Sequence, residues 1–204
     1  VWLPVIAALA VFPLFVRDEY ILNTAVMAGI YIILTSSLNI TNGYTGLFQF
    51  GHAAFYGIGA YTTAILTKRF DVPVEISIPV AVGMTMIGGL IVLLPALRIK
   101  GSYFALVTLA FMELMYQLVQ VIRPDLTGGT RGMSGIPTLT RGAVNGFYLS
   151  ALLLVVVALP AWLLMKTRLG TALSAIGMNE ESVRGSGLSV TKLKLFAFLA
   201  SAFV

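Results

Sequence analysis

His52 is the only histidine in the chain, flanked by Gly51 and two alanines, with Gln49 and Asn42 shortly upstream. An imidazole in such apolar company suits a metal ligand, a proton relay or a hydrogen-bonded packing element. A metal centre needs several converging ligands, and the chain offers neither a second histidine nor any cysteine. The residue is therefore expected to be hydrogen-bonded inside the protein, fixing a break in a helix. Gln49 and Asn42 belong with it, as side chains that join helices or line a path. Glu113 is a second candidate, followed by Gln117 and Gln120 at i+4 and i+7, on one helical face. An acid at mid-membrane costs roughly 2.5–3.5 kcal/mol on insertion scales, so it normally faces a protein interior or a partner. The alternative is a place nearer the outer end of its helix, beside water or a loop arginine. A third candidate, Gly128-Gly129-Thr130-Arg131-Gly132, invites comparison with phosphate loops. It lacks their Gly-Lys-Ser/Thr ending and the strand before it, and reads as an extracytoplasmic turn. With no metal-ligand cluster and no Ser/His/Asp set, the residues do not read as an enzyme, and any ATP site belongs elsewhere.

The elements that hold these residues are set by hydrophobicity. The chain of 204 residues is 58% hydrophobic and 10% charged, with mean hydropathy +0.95, against about 25% charged for a soluble domain. Residues 20–67 run for 48 positions without Asp, Glu, Lys or Arg, enough for two crossings of roughly 20 residues each. Uncharged runs predict an all-α polytopic membrane protein with spans at 2–16, 20–40, 47–67, 76–97, 101–122 and 147–165. A seventh starts near Leu193, giving six or seven in all. The chain starts at Val1 and stops inside the apolar run 195–204, so residues 1–204 are expected to be one transmembrane domain truncated at both ends. The run 2–16 has the length of a signal-peptide core, but no cleavage-like site follows it. The net charge of +5 is read as Lys and Arg in membrane loops, with no nucleic-acid partner.

The span at 47–67 is preceded and interrupted by glycine, at 43, 46, 51, 57 and 59. Glycine lets membrane helices approach closely, and a break is expected near 45–51. Irregular backbone at membrane depth survives only where protein or a water-filled cavity surrounds it, which places this segment inside the bundle. Sidedness follows from Lys and Arg. With the loop 166–194 in the cytoplasm and every span a single crossing, seven basic residues fall inside and six outside. A re-entrant turn at 39–67 would flip everything upstream of it.

The loop 166–194 is itself unusual, 29 residues where the others are short. Leu169, Ala172, Leu173 and Ile176 fall at i, i+3, i+4 and i+7, the narrow apolar stripe of one short helix. Asn179 and Glu180 follow, then Gly185 and Gly187. Two short helices on the membrane surface fit, with the stripe either docked in a partner's groove or lying on lipid headgroups.

Three stretches then resemble one family. Residues 168–176 (Arg-Leu-Gly-Thr-Ala-Leu-Ser-Ala-Ile), with Asn179-Glu180, Gly187-Leu188 and Lys194-Leu195-Phe196-Ala197-Phe198, are similar to the cytoplasmic coupling segment of branched-chain amino acid permeases of ABC importers. Gly43-Tyr44-Thr45-Gly46-Leu47 running into Phe50–Tyr61, and 97–111 with Glu113 and 126–132, resemble the same family in order. Ser182, Val183 and Gly185 stand where the family usually has small alanines. The resemblance implies a permease subunit in a bacterial or archaeal cytoplasmic (inner) membrane. It would work with a homologous second permease subunit, two cytoplasmic ATP-binding subunits and an extracytoplasmic substrate-binding protein, all within the lipid bilayer system. ATP and Mg would be bound by those partners and no cofactor by this chain. On this reading Asn42, Gln49, Gly51, His52 and Glu113 lie along the substrate pathway. Arg168, Leu169, Ala172, Leu173, Ile176, Asn179, Glu180 and Gly187 form the ATPase coupling segment. Two alternatives stay open. Val183-Arg184 with Ser186-Gly187 is similar to the loop of urea- or amide-type permeases, although 100–111 and 126–132 favour the amino acid branch. An ATP-independent secondary transporter would also use a broken helix at the midplane.

Overall fold

The computed structural model describes residues 9, 11–13, 15–16, 18–96, 102–121, 124–137, 139–140 and 142–203. Most of the expected first span, and Arg17, Arg98, Ile99, Lys100, Gly101, Arg123 and Arg141, lie outside the described residues. Asp18 caps a long helix by accepting from the Tyr20 amide at 2.9 Å. That helix, α1 (Glu19–Asn39), runs without interruption into a π-helical turn, Ile40–Tyr44. After the non-helical residues 45–51 come α2 (His52–Arg69), α3 (Val74–Ala96) and α4 (Ser102–Val121). A short α5 (Pro124–Thr127) and a 3₁₀ turn (Gly129–Arg131) lead to α6 (Ala143–Met165). Two short helices, α7 (Arg168–Met178) and α8 (Glu180–Gly185), precede α9 (Val190–Phe203).

Among the described residues, four stretches are long and apolar enough to cross a membrane: Glu19–Tyr44, Val74–Leu93, Tyr103–Val121 and Ala143–Met165. The polytopic helical architecture is as the sequence predicts, while a count of six or seven spans is not reached among the described residues. The expected third span differs most. Its helix begins at His52 rather than 47, because 45–51 is given to the break. α2 also carries Gly57, Gly59, Thr62 and Thr63 and ends in Lys68-Arg69, which lowers its apolarity.

The path of the chain follows from who meets whom. Gly29 and Ile32 of α1 share one groove with Ser150 and Leu154 of α6, and Ser36 and Ile40 share another with Ala158 and Trp162. The two helices therefore run parallel, and both end at the side where α7 and α8 sit, here the loop face. α2 starts a few residues short of that face, level with Ser37, and rises away from it. Its Lys68 and Arg69 donate to the carbonyls of Ser134 and Asp125 on the far face. α1 and α2 thus run in opposite directions, and no re-entrant flip occurs. At the loop end of α6, the Lys166 ammonium lies 3.6 Å from the centroid of the Trp162 ring, a pairing that suits a membrane–water boundary.

Among the described residues, three groups of buried apolar side chains tie the helices together. Phe55, Leu93, Phe104, Phe198 and Ala202 join α2, α3, α4 and α9, with Phe55 and Phe104 meeting the Phe198 ring edge-on at 5.4 and 6.4 Å. Such aromatic pairs add about 0.5–1.5 kcal/mol beyond the area they bury. Ile40, Leu173 and Ala197 seat α7 on the π turn and α9. Ile176, Val183 and Val190 tie α7, α8 and α9 together.

Candidate functional site

The π turn and the break form one polar knot. Asn42 reaches along the chain to clamp Gln49. Its Oδ1 accepts from the Gln49 amide at 2.9 Å, and its Nδ2 donates to the Gln49 carbonyl at 3.4 Å. The Phe50 amide donates to Thr108 Oγ1 on α4 at 3.1 Å, and the Leu47 amide to the Thr41 carbonyl at 3.3 Å. Thr45 Oγ1 donates to the Thr41 carbonyl at 2.6 Å. Backbone without helical partners must be satisfied inside the protein at membrane depth, and here side chains from the π turn and α4 supply the bonds. Gly51 is required by its surroundings, since a Cβ there would stand 2.7 Å from the Thr108 carbonyl oxygen.

His52 opens α2 and is buried. Its Nε2 lies 3.0 Å from Ser37 Oγ of α1. Ser37 has one proton and gives it to the Ser201 carbonyl of α9 at 2.7 Å. A hydroxyl that has already donated can only accept, so His52 Nε2 carries the hydrogen and donates to Ser37. The imidazole therefore joins three helices, as the packing reading of its sequence context anticipates. Its Nδ1 and both amide atoms of Gln49, which is 1% exposed, have no partner among the described residues. Asn42, Gln49, Gly51 and His52 are thus brought together. Phe48 and Phe50 correct the expectation that the whole break is interior: they point outward, 64% and 55% exposed, on either side of the inward Gln49.

Glu113 is not part of this knot. It stands five residues beyond Thr108, about 7.5 Å along α4 and some 140° around it. It is exposed and accepts from Gln117 Nε2 at 2.8 Å. With Tyr61, Tyr116, Gln120 and Arg131 it borders a cavity of about 600 Å³ between α2, α4 and the 3₁₀ turn. The interior position weighed from sequence is not the one found. An exposed acid with an exposed amide eight or nine residues short of the end of α4 makes one face of a span hydrophilic.

The loop-side helices correct a second expectation. Leu173 and Ile176 are buried against this chain's own π turn, α8 and α9, not presented to a groove elsewhere. The stripe splits. Leu173 is 0% exposed, Ala172 is half-buried and Leu169 remains exposed. The reason is that Ile40 and Ala197 offer an apolar seat that no local periodicity announces. Asn179 caps α8 by accepting from the Ser182 amide at 3.1 Å. Glu180 pairs with Arg184 at 2.9 Å and, across to α9, with Lys194 at 2.7 Å. What faces outward is Arg168, Leu169, Arg184, Gly187, Leu188 and, at the elbow, Met178.

Sequence reasoning missed Ser37, Thr108 and Ser201. Hydroxyls in apolar helices usually bond their own preceding turn, so nothing in the linear pattern marks these three as cross-helix partners.

Comparison with known proteins adds the following. A family model described as branched-chain amino acid transport system, permease component, matches residues 20–204. The high-affinity branched-chain amino acid transport system permease protein LivM of Salmonella typhimurium is 34% identical over 209 residues, covering 88% of this chain and 49% of that protein. LivM of Escherichia coli matches to the same extent. The ribose import permease protein RbsC of Haemophilus influenzae is 30% identical over 153 residues, 71% of this chain and 46% of that protein. The chain spans about half the length of these curated relatives. No solved structure matches it.

Proposed function

The chain belongs to the branched-chain amino acid transport permease family, and on that premise we propose that it is a membrane subunit of an ATP-driven importer of branched-chain amino acids. A second permease subunit completes the path, two cytoplasmic ATPase subunits hold ATP and Mg, and an extracytoplasmic binding protein delivers the substrate. The setting is the cytoplasmic (inner) membrane.

The observation that carries this reading is the 34% identity to LivM across 88% of the chain. Two features of the fold support the division of labour. The exposed Glu113–Gln117 face of α4 gives a zwitterion a polar lining within an apolar span. A lipid-facing acid would be costly, so this face meets the path or the second subunit. At the loop face, α7 and α8 are held rigidly on the bundle and turn Arg168, Leu169, Met178, Arg184 and Leu188 outward. That platform, rather than the buried Leu173 and Ile176, is assigned to the ATPase. Asn179, Glu180 and Ala172 keep the platform in shape.

The test is purification of the full-length protein with its neighbouring subunits, followed by reconstitution. Co-purification of ATPase subunits and ATP-driven uptake of leucine, isoleucine and valine are expected. Uptake that follows an ion gradient without ATP would overturn the proposal, and preference for urea or ribose would overturn the substrate. Ribose belongs in the panel because the similarity extends to a permease named for it.

A further inference from the structure

Between the outward platform and the polar knot lies one contact made by backbone alone. Gly177, next to last in α7, and Gly46, first glycine of the break, pack against each other with no side chain between them. A Cβ on Gly177 would stand 2.7 Å from the Tyr44 carbonyl oxygen and 3.4 Å from the Gly46 amide nitrogen. A Cβ on Gly46 would stand 3.3 Å from the Gly177 Cα, and Gly46 has φ +66°, which L side chains rarely adopt. One turn earlier on the same face of α7, Leu173 rests on Ile40, one turn earlier in the π segment. α7 therefore lies on the π turn at two points, the second of them rigid.

Beyond Gly46, Leu47 and Gln49 bond back to Thr41 and Asn42 of the π turn, and the exit of the break bonds to the helices around it. Phe50 bonds Thr108 of α4, and His52 bonds Ser37 of α1, which bonds Ser201 of α9. A side-chain contact yields by changing rotamer, whereas two backbones in contact do not. The π turn upstream is the compliant part, because its extra residue per turn can be redistributed.

We propose that the Gly46–Gly177 contact is the joint that passes a displacement of α7 to the break and, through Thr108, to α4 with its Glu113 face. The two glycines are positioning residues that couple hydrolysis to translocation. This rests on the importer reading given above, and deepens it.

The experiment compares Gly177→Ala with Gly185→Ala in the complete reconstituted complex, measuring hydrolysis and leucine uptake separately. Gly185 sits on the neighbouring α8, where an added methyl meets open space. Gly177→Ala is expected to keep hydrolysis while uptake per ATP falls about tenfold, an ordinary coupling magnitude. Gly185→Ala is expected to change neither. Uptake and hydrolysis falling together in Gly177→Ala, or both staying normal, overturns the joint. If Gly177→Ala does not accumulate, amide exchange on the wild-type complex decides. Residues 45–51 must then exchange differently in the nucleotide-free and vanadate-trapped states, and identical exchange refutes the proposal. Absence of ATP-driven uptake in the wild type would instead sink the importer reading itself, so the two failures are distinguishable.

Discussion

Leu173→Ala separates an inward from an outward stripe. Leu173 is 0% exposed and packs on Ile40 and Ala197, with Ala161, Met165 and Leu193 around them. Truncation at such a site removes transfer free energy and leaves a cavity, for about 2.7–5.0 kcal/mol in comparable series. Taking about 3 kcal/mol as the loss of α7 seating, opening of this helix rises by about 140-fold, since each 1.4 kcal/mol is tenfold. The assay is amide exchange across 170–178 in detergent, without partner subunits. Leu169→Ala is the control, because Leu169 is exposed and surface truncations usually stay within about 0.5 kcal/mol. If Leu173→Ala leaves exchange as slow as wild type yet abolishes ATPase binding, the stripe faces outward and the seating described here is wrong.

Other perturbations address the remaining parts. Ser37→Ala removes the acceptor of His52 Nε2–H and should cost about 1–3 kcal/mol through an unsatisfied buried donor, read as a lower thermal midpoint; an unchanged midpoint would mean the bond contributes nothing. Glu113→Gln keeps shape and removes charge from an exposed position, so folding should be unaffected while leucine uptake falls. Normal uptake would take Glu113 off the path. Met178, 88% exposed at the α7–α8 elbow, should as Met178→Asp leave the isolated permease intact and weaken ATPase association by about tenfold or more, as for a single interface anchor. Unaltered association in a pull-down titration would exclude it from the platform.

How much of this was legible beforehand depended on whether a feature is local. The break at 45–51 was readable because glycines at 43, 46 and 51 interrupt an otherwise apolar run, and the structure leaves 45–51 non-helical; the π turn before it, at 40–44, was not foreseen. The pair of short loop-side helices was readable from one stripe and the Asn179-Glu180 start, which proves to be a cap and an ion pair. The direction of the stripe was not. Periodicity identifies an apolar face but not the surface that covers it, and Ile40 lies more than a hundred residues away. The His52–Ser37–Ser201 relay was equally invisible, with the serines 164 positions apart. The separation of Glu113 from His52 follows from helix rotation, which spacing along the sequence conveys only once Thr108 is known to face the break.

The same relay sets an order of events during biosynthesis. His52 leaves the ribosome with Ser37 already made, but the carbonyl that orients Ser37 belongs to Ser201, 201 − 52 = 149 residues later. At roughly 5–20 residues per second that is a delay on the order of ten seconds. Throughout it, the start of α2 is a polar end in an unfinished bundle, with Phe55 still lacking its Phe198 partner. The α1–α2 hairpin therefore waits for α9, whose Ser201 and Phe198 lock it.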